Sequence, residues 1–122
     1  MLNKKLKPVL PSLREKKRYI AFQVISKEKL SDSGPMAGAI MDSSLQLLGQ
    51  IGAAKANIMV LSNKWDPKRQ AGILKVSNRY VDAVKASFVC TDKIEGREAI
   101  IRSLGGSGML NKAEKEYLKQ ES

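Results

Sequence analysis

Arg14, Lys16, Lys17 and Arg18 crowd the start of "SLREKKRYIAFQVIS", residues 12–26, just where an alternating apolar pattern begins. Lysine and arginine at this density neutralise phosphates, so the stretch points first to a polyanionic partner. Its simpler rival is a strand whose first residues are merely solvated by charge.

The whole chain leans the same way. It has 22 Lys and Arg against 12 Asp and Glu in 122 residues, a net charge of +10, and such a balance favours nucleic acid or an anionic surface. No apolar run approaches the roughly 20 residues that span a bilayer, and "MLNKKLKPVLPSLREKK" has no uninterrupted apolar stretch of the kind a secretory leader needs. The reading is a soluble, cytoplasmic chain of one domain.

Side chains for catalysis are scarce. The chain has no histidine and a single cysteine, Cys90, which removes the usual general base near neutral pH, the Ser-His and Cys-His nucleophile pairs, an internal disulfide and the common zinc ligand sets. Cys90 reads as a small core residue at a helix end. Asp92, Glu95 and Glu98 are interleaved with Lys93 and Arg97, so they read as solvated ion pairs and not as ligands of a hard cation.

Two phosphate-related motifs invite attention. "IMVLSNKWD" places Asn63, Lys64 and Asp66 in the spacing of a guanine-reading element, but the chain has no GxxxxGK[ST] loop and Pro67 makes the stretch a turn. "LGGSGML", residues 104–110, has three glycines whose backbone N–H groups could approach a phosphate, with Arg102 beside them; a tight loop before a last helix is the plainer reading.

The elements that must position these groups follow from periodicity. Residues 1–17, with Pro8 and Pro11 and six Lys and Arg against Glu15 alone, read as a basic arm, and residues 18–122 as the domain. Arg18 to Ser26 alternates, with Ile20, Phe22 and Val24 on one face and Tyr19, Ala21, Gln23 and Ile25 on the other. A helix follows, with Met36, Ile40, Ser44, Leu47, Leu48 and Ile51 as its inward stripe and Gly49 and Gly52 closing it. Ala54–Ser62 and Ala71–Ser77 read as strands joined by "NKWDPKRQ", and Asn78 as the cap of a second helix with Val81, Val84 and Phe88 inward. "EGREAIIRSL" completes the pattern as a turn and a fourth strand, before a last short helix over Leu110–Leu118 that leans on the domain.

That order predicts an α+β, ferredoxin-like sandwich of four antiparallel strands, with both main helices on one face. An RRM would stack bases on aromatics of its third strand, but "AGILKVS" offers Lys75 and no ring. The open face is therefore expected to meet phosphates and the shape of structured RNA. The candidate contacts are Arg14, Lys16, Lys17, Arg18, Tyr19, Lys64, Lys68, Arg69, Lys75, Arg79 and Arg102.

Taken together and in order, "LREKKRYIAFQVIS", "GAAKANIMVLS", "GILKVSNRYVDAVKASF" and "LGGSGML" resemble the ribonuclease P protein component 2 family, over roughly residues 12–118. The compact chain is similar to archaeal members. It departs from them where they tend to carry arginines, at Ala71 and Lys75, and where they carry Val and Thr, at Gly106 and Met109. The resemblance implies a ferredoxin-like fold and a role beside a catalytic RNA that removes the 5′ leader from precursor tRNA. It implies that magnesium is held by that RNA, with no cofactor on this chain. It also implies pairing with ribonuclease P protein component 3, a TIM-barrel-like subunit, and self-association within a heterotetramer. The alternative from another class is a ferredoxin-like assembly or regulatory module that binds a protein or small effector.

Overall fold

Alternation along the first strand decides which layer is core. In the computed structural model, which describes residues 16–108 and 110–113, β1 spans Lys17–Ser26. Ile20, Phe22 and Val24 are buried on one side, as their spacing predicts. Two helices cover that side: α1, Gly34–Ala56, through Met36, Ile40 and Ala56, and α2, Val81–Ser87, through Val84, with Phe88 in the turn just after it. Phe22 lies at the centre, its ring stacked 6.5 Å from Trp65 and edge-on 6.3 Å from Phe88.

The remaining strands are β2, Met59–Val60; β3, Ala71–Ser77; β4, Lys93–Ile94; and β5, Arg97–Ser107. The sheet is antiparallel and five-stranded, in the order β2-β3-β1-β5-β4, so β1 is central. Leaving out β4, the order 2-3-1-4 is compatible with the expected ferredoxin-like arrangement, and the fifth strand is the correction. It arises because the predicted turn is a hairpin: Glu95 and Gly96 both have positive φ, 56° and 79°, which suits a two-residue connection and lets Lys93–Ile94 pair back on Arg97–Glu98.

Three other expectations change. The first helix does not close at Gly49. Gly49 breaks it with φ 76° and ψ 176°, the chain resumes helical geometry to Ala56, and Asn57 in the left-handed region ends it, with its N–H shared between the carbonyls of Ala53 and Ala54. The predicted strand over Ala54–Ser62 shrinks to Met59–Val60 because its first residues belong to that helix. On α1, Met36, Ile40 and Ser44 are buried and Leu48 packs on the core, but Leu47 and Ile51 are exposed, Ile51 lying beyond the break at Gly49 that interrupts the stripe.

Leu104–Ser107 is strand and not loop. Ser107, Gly106 and Gly105 pair with Tyr19, Ile20 and Ala21, and the register shifts between Ala21 and Phe22. A Cβ at Gly106 would stand 3.3 Å from the Tyr19 carbonyl, a tight contact that a small shift of the strand would have to relieve. The sheet's second face is not open along its length either. A short helix α3, Leu110–Ala113, seats Ala113 on Ala21, Ala71 and Ile73, with Tyr19, Leu61 and Leu104 around it.

Candidate nucleic-acid interface

Strand alternation splits the cations at the start of β1. Lys17 and Tyr19 share a face, and Tyr19 stands opposite Lys75 across the β1–β3 ladder; Arg18 points to the other side, opposite Val76. Asn78 N–H donates to the Lys16 carbonyl at 2.7 Å, which ties the strand's first turn to the chain leaving β3. Gly108, just past β5, leaves room for the Arg18 stem, whose Cδ and Nε lie 3.9 Å from where a Cβ would stand.

Between these segments lies a cavity of about 670 Å³ lined by Lys16, Lys17, Arg18, Tyr19, Asn78 and Gly108. Among the described residues no carboxylate lines it. Arg18 Nε is shielded from solvent and has no hydrogen-bond acceptor among the described residues. Lys85 Nζ, from α2, lies 4.0 Å from the position a Cβ on Gly106 would take, at the same end of the sheet. Lys85 is not among the expected contacts, because a lysine one residue after Val84 carries no sign that it comes beside Gly106.

The other expected cations sit apart from that cavity. Lys68 and Arg69 are in the Asp66–Gln70 turn, where the Asp66 carboxylate accepts from both of their backbone N–H groups at 3.0 and 3.3 Å. Arg102, exposed on β5, bonds to Gln23 on β1. Lys64 is half-buried in the turn Ser62–Lys64, and Arg79 is exposed next to Asn78; neither lines a described cavity with the others. Arg14 lies outside the described residues. Part of the expected set is thus brought together in two groups along β1, Lys16 to Tyr19 with Lys75 opposite, and Lys68 and Arg69 with Arg102 around Gln23, while Lys64 and Arg79 belong to neither.

A cavity walled by Lys16, Lys17 and Arg18 suits the binding of an anionic group. Among the described residues no three His, Cys, Asp or Glu converge as a metal site, and Glu28 is engaged in an ion pair with Arg97. Cys90 is half-buried in the turn after α2 and unpaired with another thiol. No helix of the described residues is long and apolar enough to cross a membrane.

Comparison with known proteins agrees with this picture. A sequence model of the Rpp14/Pop5 family matches residues 18–118. Ribonuclease P protein component 2 of Pyrococcus abyssi is 35% identical over 116 residues, which is 95% of this chain and 96% of that protein. The protein of the same name from Methanosarcina mazei is also 35% identical, with the same shares of both chains. Among solved structures, a chain of yeast ribonuclease MRP, seen by cryo-EM, superposes with a TM-score of 0.59 at 13% identity, covering 78% of this chain and 76% of that one. At that identity the superposition speaks for the fold alone, while the family match and the full-length relatives speak for descent: the chain belongs to the Rpp14/Pop5 family.

Proposed function

We propose that this chain is a protein subunit of ribonuclease P, which binds the enzyme's catalytic RNA and supports its removal of the 5′ leader from precursor tRNA. The observation that carries the reading is the cavity at the start of β1, lined by Lys16, Lys17 and Arg18 with no carboxylate among its described walls. Phosphate is the acceptor such a cavity suits best. The names of the full-length relatives supply the ribonuclease P context.

In this reading the chain is a non-catalytic subunit. Magnesium is assigned to the RNA, whose phosphate oxygens suit a hard cation. Ribonuclease P protein component 3 is the proposed protein partner, with self-association in a heterotetramer and a cytoplasmic setting. Exposed Met41, Leu45 and Ile51 on α1 support a protein contact in addition to the RNA one. We assign the fold to the ferredoxin-like class, with β4 as an added edge strand.

Reconstitution tests the proposal. The purified chain with precursor tRNA and magnesium should give no cleavage. Added to the RNA subunit and component 3, it should raise the cleavage rate. Cleavage by the protein alone would overturn the non-catalytic role, and an unchanged rate in the reconstituted mixture would overturn the subunit role.

A further inference from the structure

β1 keeps β3 as its neighbour only as far as Gln23, which stands opposite Ala71. The chain on the β3 side then swings away through the Asp66–Gln70 turn, with Val24 N–H donating to the Gln70 carbonyl at 2.8 Å. This divergence leaves a cavity of about 490 Å³ whose walls include Gln23, Lys29, Lys68 and Arg69.

Gln23 is the hub of that region. Its Oε1 accepts from Arg102 Nε at 3.1 Å and from Arg102 Nη2 at 2.9 Å, while its Nε2 donates to the Arg69 carbonyl at 3.2 Å. A neutral amide can do both; a carboxylate cannot donate, and an aliphatic side chain can do neither. Lys29 Nζ donates to the Lys68 carbonyl at 3.2 Å, so the same turn is held from a second side. The turn's own carboxylate, Asp66, directs Oδ1 to backbone N–H groups. Arg102 is thereby oriented by a neutral partner that does not offset its charge, and its guanidinium belongs to an exposed residue that can meet another acceptor.

We propose that Gln23 is a positioning residue that builds a second phosphate-binding site from Arg102, Lys29, Lys68 and Arg69, and that this site takes a backbone phosphate of the same RNA. The inference rests on the RNA-binding reading above. From Lys17 to Gln23 an extended strand covers about 20 Å, too far for one phosphate to touch both ends. The two sites therefore hold separate points on the backbone. Ala113, seated on Ala21 and Ile73, covers sheet between them that an RRM would offer to bases.

The probe is a fluorescein-labelled RNA duplex of mixed sequence, its affinity for the full chain read by anisotropy across a range of KCl concentrations. Arg102→Gln should weaken binding about tenfold, as removal of a charge-assisted hydrogen bond does, and lower the salt slope by about 0.7 to 0.9. Gln23→Leu changes no charge, yet should weaken binding severalfold and add little when combined with Arg102→Gln, the non-additivity of groups acting as one. Gln23→Glu still accepts from Arg102 but cancels its charge, so it should bind more weakly than Gln23→Leu. Circular dichroism melts accompany each variant; if Gln23→Leu does not fold, the exposed Arg102→Gln and Lys29→Ala carry the test. If the unmutated chain fails to bind the duplex, the RNA-binding reading and this site fall together. If it binds and Arg102→Gln and Lys29→Ala match it in affinity and slope, the site alone falls.

Discussion

Replacing Lys16, Lys17 and Arg18 together by alanine removes every positive charge from the described walls of the cavity at the start of β1. The strand should survive. What holds it there is main chain: Lys17 stands opposite Ser77 in the ladder, and the Lys16 carbonyl accepts from Asn78. Lys16 is exposed, and Arg18 Nε has no acceptor among the described residues to give up. The stability change should therefore stay within about 1 kcal/mol. RNA binding should respond quite differently, because each phosphate that the variant no longer neutralises flattens the salt dependence by about 0.7 to 0.9 units. For one phosphate per cation, the total is about two to three units. Over a fourfold rise in salt, the unmutated chain should lose about 16- to 64-fold more affinity than the variant. The assay is a filter-binding titration against ribonuclease P RNA at four or more salt concentrations, with a thermal melt of each protein. Lys55→Ala, in the last turn of α1 on the helical layer, serves as the control and should change neither reading. Superimposable affinities and slopes for the parent and the triple variant would refute the reasoning and leave a strand whose start is simply solvated.

Core changes test the fold on which that site depends. Phe22→Ala removes a fully buried ring that contacts both Trp65 and Phe88, so denaturant unfolding should show a loss of about 4 to 5 kcal/mol, the upper part of the range for such truncations. Gly49→Ala meets no neighbour but must adopt φ 76° and ψ 176°, a region nearly reserved for glycine, and should cost about 1 to 3 kcal/mol or straighten α1, as a change in helical circular dichroism would reveal. Ser43→Ala strands its buried partner Thr91 and should cost about 1 to 3 kcal/mol, with Ser43→Ala/Thr91→Val more stable than the single variant.

Regular alternation makes the layers legible. Ile20, Phe22 and Val24 announce a buried face by period alone, and Ala71–Ser77 forms a strand with the predicted bounds. The tail of α1 does not announce itself, because Gly49 and Gly52 look like an ending and "AAKANIMVLS" is too short and apolar to separate helix from strand by pattern. Leu104–Ser107 reads as loop for a related reason: glycines that usually mark loops are here the price of a close approach to the backbone of Tyr19. For the site, the types of the cations are visible in the sequence but their grouping is not. Arg102 meets Gln23 across 79 positions of sequence, a juxtaposition that only the sheet order creates, and Lys85 Nζ comes beside Gly106 by the same kind of closure.

The central place of β1 also bears on how the chain is made. This strand is synthesised first, yet both of its neighbours come much later: β3 begins at Ala71, and the pairing of Tyr19 with Ser107 closes the far side. At ribosomal speeds of about 5 to 20 residues per second, that last pairing waits about 4 to 18 s after Tyr19 is added. Throughout that interval an apolar strand with two unpaired edges must be kept from other chains, and non-local closure of this kind also slows folding once synthesis ends. Like charge on Lys16, Lys17 and Arg18 is of the kind that opposes edge-to-edge pairing, and it stands at the start of the strand that is still all edge when the rest of the sheet has yet to be made.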